Sequence, residues 1–433
     1  MSVTVLSTPM YRRSIAATVI GNFVEYFDWL AYGLFAPLFA KQFFPSNNSV
    51  TSLLGVYAVF AVGMLFRPLG GILLGRLTDR RGRKPAMIVS IAMMAGGSAL
   101  IGICPTYAQI GLAAPLLLLA ARAIQGLSSG GEWPAAVTYL MELAPPRRKC
   151  FYGSLFSMSG AAGALVAGLL GGSLTVWYGR PAMLDWGWRV PFLFGTLLGL
   201  VLLLVRRRVA ETTVFQRDVR ARPARGSFRR VLVEYRRQVL LVVLFVAGLT
   251  AVIGTWTTTV PALGFRLNPS SMMWVIAVAS AITIAVQVPL GLLADRIGVP
   301  LFLAGLNIAF LIVAPFAYLN MSRSFANLVF SYGSGIIYIA SVSMVMPKVL
   351  ASLFPAEVRG VGIGLPHSTT TAVLGGFTPL LATYLADRGL SGWFIAAVLA
   401  TLVLGWIGAE LSVRRFESTM DDAPPAPQLR AAS

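Results

Sequence analysis

The chain predicts an all-α membrane protein: twelve transmembrane helices arranged as two six-helix pseudo-repeats. Three observations carry that expectation. Of 433 residues, 57% are hydrophobic and 12% charged, about half the charged share of a soluble globular chain. Twelve apolar segments are long enough, at about twenty residues each, to cross a hydrocarbon core. A charged decapeptide, GRLTDRRGRK at 75–84, returns as GLLADRIGVP at 291–300, an offset of 216 residues.

The apolar segments fall at 14–41, 51–76, 86–104, 110–143, 151–179, 188–205, 238–264, 271–294, 300–319, 325–351, 361–386 and 391–412. The first follows Tyr11-Arg12-Arg13 and is far too long for the apolar region of a signal peptide, so it reads as a retained membrane helix. Basic residues then set the topology. Of 35 Lys and Arg, 26 lie in the even-numbered loops and the two termini, and six in the odd-numbered loops and their margins. That bias places both termini in the cytoplasm. The net charge of +19 is therefore topological and does not call for a nucleic-acid partner. A multi-pass place in a bacterial inner membrane is the expected location; Arg outnumbers Lys 31 to 4, in keeping with a high-GC genome. Residues 1–205 form the first bundle and 238–412 the second. The stretch 206–237 is a cytoplasmic linker with eleven Arg that would hold the halves at an anionic leaflet. Residues 413–433 form a short Pro/Ala-rich cytoplasmic tail, expected to be disordered.

The two charged knots coincide at Gly75/Gly291, Leu77/Leu293, Asp79/Asp295, Arg80/Arg296 and Gly82/Gly298. Each lies between the second and third helix of its half. Positive-inside anchoring accounts for the basic residues but not for the repeated Gly, Asp and Gly. A duplicated six-helix unit fits transporter folds built from parallel repeats. Other chemistries are poorly supported. Cys104 and Cys150 give neither a disulfide framework nor a metal spacing, His367 is the one histidine, and there is no Gly-x4-Gly-Lys-Ser/Thr loop. No cofactor, metal or enzymatic activity is expected.

Charge at membrane depth is costly and marks function. At 1.5 Å per residue, Glu25 lies roughly 16 Å into the first helix, Asp28 roughly 21 Å, and Arg122 roughly 18 Å into the fourth from the opposite side. Glu25 and Asp28, three residues apart, share a helix face. Two carboxylates beside one Arg make a protonatable switch, so Glu25 and Asp28 are the expected proton-coupling residues and Arg122 the substrate residue. The alternative is a structural ion pair that locks helix 1 to helix 4. Asn22, Tyr26, Trp29 and Tyr32 could complete a hydrogen-bonding wall. Arg67 and Glu132 lie nearer the cytoplasmic ends and could form an inner bracing pair. The second half offers neutral groups; Trp256 and Tyr338 are its expected cavity residues, although ordinary helix packing explains most of its Ser and Thr. His367, after Pro366, could titrate or serve as a neutral packing residue.

GRLTDRRGRK resembles the cytoplasmic loop signature of the major facilitator superfamily, and RAIQGLSSGGEWPAAVTYLMELAP (122–145) its fourth-helix Arg-x-x-Gln-Gly motif. GNFVEYFDWLAYG (21–33), FRPLGG (66–71), WGWRVPFLFG (186–195), RRRVAET (206–212) and LFPAEVRGVG (353–362) are similar to the metabolite:proton symporter family within it. That resemblance implies a secondary transporter moving a small polar metabolite, chiefly an organic acid anion, together with protons and working as a monomer in the lipid bilayer. It also implies that Asp79 with Arg80 and Arg83, framed by Gly75 and Gly82, clasps the halves near the start of helix 11, where Glu357 and Arg359 lie. Asp295 makes a weaker second clasp, because that copy has lost its basic pair. Relatives tend to carry Tyr-Asn where this chain has Pro366-His367, so no substrate is copied from them. Two alternatives stand beside this reading: a proton-coupled exporter of a drug or secondary metabolite, and a proline/betaine-type osmolyte symporter. The short tail counts against the second. A transport-dead sensor is disfavoured by the lack of a signalling domain.

Overall fold

A computed structural model describes residues 8–47, 49–207, 227–386 and 388–416. Every regular element among them is helical. The first half contains α1 (Thr8–Phe43), α2 (Ser49–Leu65), α3 (Arg67–Arg81), α4 (Arg83–Ile103), the short α5 (Tyr107–Ile110), α6 (Ala113–Leu143), α7 (Lys149–Ala182) and α8 (Arg189–Arg207). A linker helix α9 (Ser227–Val233) precedes α10 (Arg236–Gly254), α11 (Val260–Leu267), α12 (Pro269–Ile297), α13 (Val299–Leu319), α14 (Phe325–Ser352), α15 (Arg359–Ala386) and α16 (Ser391–Phe416).

Two predicted spans are broken by proline. Pro68 cannot donate a backbone bond, and the second span divides at Phe66 into α2 and α3, with Arg67 at the break. Pro261 has the same effect on the seventh span, where a π-turn over Thr255–Thr259 joins α10 to α11. The remaining spans each fall on one long helix. By length and composition, nine helices among the described residues are apolar enough to cross a membrane. The three long helices that fall short are α1, α6 and α15, which carry Glu25 with Asp28, Arg122 with Glu132, and His367. The outer surface is rich in exposed Leu, Ile and Trp, such as Leu116, Trp177, Ile312 and Trp393. In water that would be an anomaly; in a bilayer it is the solvent-facing surface.

Within the first half α1 packs on α7 and α8, and α4 on α6 and α8; within the second, α10 packs on α15 and α16, and α12 on α14. Two seams join the halves, α3 and α6 against α15 and α7 against α12 and α14. Each knot sits at the end of one seam and uses its glycines in two ways. A Cβ on Gly75 would come within 3.1 Å of the Gly360 carbonyl oxygen, and one on Gly291 within 2.7 Å of Ser154, so both must stay small for the helices to touch. Gly82 and Gly298 hold φ at 110° and 86°, where other residues are strained. They turn α3 into α4 and α12 into α13.

Two boundaries differ from the sequence reading. Arg206, placed at the head of the linker, is inside α8 and buried. The last helix runs on to Phe416. Most of the linker and the rest of the tail lie outside the described residues.

Candidate substrate and proton site

The intramembrane charges of the first half converge on a small cavity of about 30 Å³ between α1, α2, α3 and α6. Arg67, Arg122, Glu25, Gln125 and Ser129 line it together with Trp29 and Phe60. Arg67 reaches it because it stands at the α2–α3 break; Arg122 and Ser129 reach it from the buried face of α6.

Two separate hydrogen-bond chains tie these cations to the helix-1 carboxylates. In the first, Arg67 Nη2 donates to Ser129 Oγ at 2.7 Å, and Ser129 Oγ donates to Glu25 Oε1. In the second, Arg122 Nη1 donates to Gln125 Oε1 at 2.5 Å, Gln125 Nε2 to Ser98 Oγ at 2.8 Å, and Ser98 Oγ to Asp28 Oδ2 at 2.6 Å. Glu25 and Asp28 therefore share a helix face but belong to different circuits. Each keeps one buried oxygen, Glu25 Oε2 and Asp28 Oδ1, with no hydrogen-bond partner. Asp28 fits against α8 because Gly195 is there; a Cβ at that position would lie 2.1 Å from Asp28 Oδ1. Arg122 makes no ion pair with either carboxylate among the described residues. Its guanidinium lies 4.0 Å over the Tyr32 ring and 4.8 Å over Phe60, and that aromatic floor holds a cation without neutralising it.

The wall residues take distinct places. Tyr32 is fully buried and donates its hydroxyl to the Val56 carbonyl oxygen at 3.0 Å, so it supports Arg122 from beneath. Asn22 Nδ2 donates to the Phe156 carbonyl oxygen and to Ser159 Oγ, which pins α1 to α7. Tyr26 is partly exposed and crosses α7 at Gly160 and Gly163.

Arg67 and Glu132 do not pair. Glu132 instead receives Arg206 Nη2 at 2.5 Å and Ser90 Oγ at 2.5 Å. The physical reason is register: Gly195, Gly199, Leu202 and Arg206 form one buried stripe on α8, so the last Arg of the helix points into the bundle. That stripe, with its spacing of four, three and four, was the signal available in the sequence. Trp256 and Tyr338 lie in the interior of the second bundle. Trp256 Nε1 donates to the Ser331 carbonyl oxygen at 2.9 Å; Tyr338 donates to Asn307 Oδ1 at 2.8 Å and stacks on Phe310. His367 stacks on Trp133 of α6 with centroids 4.1 Å apart and planes 2° from parallel.

At the first knot, Asp79 is fully buried and accepts from the backbone N–H of Gly360 at 2.8 Å and Val361 at 3.2 Å, the first turn of α15. Arg83 and Arg359 both reach Glu142 Oε1, at 2.6 and 2.9 Å. Arg80 is exposed, and Glu357 meets Arg230 of α9 at 3.4 Å. At the second knot Asp295 accepts from Cys150 N at 2.9 Å and Phe151 N at 2.8 Å, in the first turn of α7. Sequence reasoning did not name Ser98, Gln125, Ser129, Trp133, Glu142 or Arg206 as site residues. Gln125, three residues beyond Arg122, was the most accessible of them.

Against known proteins, residues 18–370 match the Major Facilitator Superfamily profile. The chain is similar to an α-ketoglutarate permease of Escherichia coli K12, at 36% identity covering 90% of this chain and 93% of that protein. It is similar to a citrate-proton symporter of Klebsiella pneumoniae, at 35% identity covering 90% and 91%. Among solved structures, a proton:xylose symporter superposes with a TM-score of 0.73 over 97% of each chain, at 13% identity.

Proposed function

The chain belongs to the major facilitator superfamily, a family of multi-pass membrane transporters, and from that premise we propose that it carries a small organic acid anion together with protons. One observation carries the proposal: two guanidinium groups, Arg67 and Arg122, line a single cavity, and each is joined through hydroxyl or amide groups to its own helix-1 carboxylate. A carboxylate cargo is held best by planar two-pronged donors of this kind.

Charge balance gives the coupling. The empty site holds two cations and two carboxylates. Adding an anion at low dielectric is costly unless a positive charge enters with it. A proton on Glu25 or Asp28 supplies that charge and frees the linked Arg for the cargo. The unpartnered oxygens, Glu25 Oε2 and Asp28 Oδ1, are where the protons would sit. Two carboxylates on separate circuits allow one proton per cargo charge. Aromatic residues line the same cavity, but an exporter of greasy cations would have little use for two inward-facing arginines.

The α3–α15 and α7–α12 seams would part and close as one half rocks against the other, with the knots as gates on the cytoplasmic side. Both termini would then be cytoplasmic. One copy in a bacterial inner membrane would be the working unit.

The test is uptake into proteoliposomes under an inward proton gradient, with labelled α-ketoglutarate, citrate, shikimate, proline and betaine. Accumulation of one acid is expected. Arg122→Ala should weaken apparent affinity by the value of a charged hydrogen bond, about 1.5–3 kcal/mol or roughly 10–100-fold. Glu25→Gln should retain exchange and lose gradient-driven accumulation. If no acid moves and larger amphipathic compounds release protons instead, the exporter reading replaces this one.

A further inference from the structure

We propose that the Trp133–His367 stack is a proton-sensitive inner gate, and that charge on His367 parts α15 from α6. The inference rests on the alternating-access reading above and not on any particular cargo.

The stack bridges the two halves of the molecule. Trp133 belongs to α6 and His367 to α15, and their rings lie parallel at 4.1 Å. The next residue, Ser368, donates its hydroxyl to the Gly130 carbonyl oxygen at 3.0 Å, one turn before Trp133. A Cβ on Gly71 of α3 would lie 2.5 Å from the Gly364 carbonyl oxygen, so α15 is pressed against the first half at this level as well. The two rings are nonetheless only partly buried. Each ring therefore keeps some exposed surface through which a proton can reach it.

Among the described residues, no acid is free to balance a charged imidazole. Arg67 of α3 lies within electrostatic reach of His367 and is a cation. On α6, Glu132, next to Trp133 in the chain, is committed to Arg206 and Ser90, and Glu142 to Arg83 and Arg359. Asp79 of α3 is held at Gly360 and Val361, about two turns along α15 from His367. Glu25 of α1 is bound through Ser129. Of the other elements packed on α15, α2 offers only Tyr57, and the π-turn at Thr255–Thr259 has no ionisable group. The ionisable groups of α10 are Arg236 and Arg237 in its first turn, and α9 brings Arg229 and Arg230. On α14 they are Tyr332, Tyr338 and Lys348, and α16 has Glu410, Arg414 and Arg415 near its far end.

The neutral ring can therefore stack closely, while the imidazolium would meet a second cation in a confined, poorly hydrated place. Cation–π attraction to the indole offsets part of that penalty. It does not replace the missing counter-ion. Opening the seam hydrates the charge and separates it from Arg67, so acid favours the open seam and alkali the closed one. The device would keep the inner gate shut until protons have entered from the opposite face.

The experiment needs no cargo. Spin labels are placed at the two exposed knot positions, Arg80→Cys and Arg296→Cys, in a Cys104→Ser, Cys150→Ser background, and the protein is reconstituted in lipid nanodiscs. Label separation is measured at pH 8 and pH 5. For a coupling of one pK unit, the open-to-closed ratio should rise roughly tenfold on acidification. His367→Gln should stay closed at both values, and Trp133→Leu should be open at both. If His367→Gln fails to assemble, His367→Asn replaces it. A parent distribution that ignores pH, or a His367→Gln protein that responds as the parent does, overturns the proposal. Either result leaves the organic-acid reading intact, and failure of acid uptake leaves this gate untouched.

Discussion

The two charged knots share one backbone device and differ in how side chains reinforce it. Asp79 accepts from the first turn of α15, and Asp295 from the first turn of α7, in each case a helix of the opposite half. A carboxylate at a helix N-terminus gains from both the free N–H groups and the dipole. Around Asp79 a second layer closes, with Arg83 and Arg359 sharing Glu142. At the corresponding positions around Asp295 the chain has Val299, Lys149 and Ser352, so the shared carboxylate is missing. The repeat therefore preserves what the backbone needs, namely the small residue, the Asp and the turning Gly. It is free to vary what the side chains add. The α3–α15 seam should be the stiffer one and the α7–α12 seam the easier to part.

The sharpest break of this comparison is Glu142→Gln. It leaves two buried arginines facing one neutral amide. Removing one partner of a buried ionic group costs about 3–5 kcal/mol. Thermal unfolding in detergent should fall by several degrees, and uptake should drop with it. A variant as stable as the parent would show that the second layer contributes nothing to the first seam.

Next in size is the pair Asp79→Asn and Asp295→Asn. Each keeps one acceptor oxygen and loses the other's charge-assisted bond to a backbone N–H group, worth about 1.5–3 kcal/mol. Asp79 is also drawn to Arg83 and Arg359, so its loss should cost more. In cytoplasmic cysteine-accessibility measurements, the open fraction should rise roughly 10–100-fold for Asp79→Asn and clearly less for Asp295→Asn. Equal effects would mean that the two seams are equivalent despite their different side chains.

How far the sequence foretold these features depends on what each one rests on. Twelve spans and the duplicated knot were legible because hydrophobic length and an internal repeat are properties of the chain itself. The placement of Asp79 at the start of helix 11 came with the family resemblance. The wiring of the site was not legible. Glu25, Asp28 and Arg122 stand at similar depths, and depth alone suggested a direct cluster; Ser98, Ser129 and Gln125 instead divide them into two circuits. Depth likewise suggested Arg67 with Glu132, whereas the rotation of α8 delivers Arg206 to Glu132. Azimuth about a helix axis, fixed by packing, decided both cases, and span boundaries carry no information about it. Trp256 and Tyr338 show the same limit, being turned into the second bundle by partners on α13 and α14.

The smallest effect is expected at α9, which lies against both α3 and α15 and so straps the stiffer seam from outside. It is held in two ways. Arg230 meets Glu357 at 3.4 Å and Glu234 at 3.3 Å, with each group a third or more exposed. Val231 is fully buried, and Phe228 lies under Arg76 at 5.3 Å. Exposed ion pairs are worth at most about 1 kcal/mol. They are further screened at 1 M salt, where the Debye length is about 3 Å. Arg230→Gln should therefore change uptake by less than about fivefold, with the difference vanishing at high salt. Val231→Ser removes buried apolar contact and introduces a hydroxyl, so its effect should be larger and insensitive to salt. If the order is reversed, the strap is electrostatic, and the seam it covers draws on charges outside the Glu142 cluster. The contrast between the two knots would then extend to the linker itself.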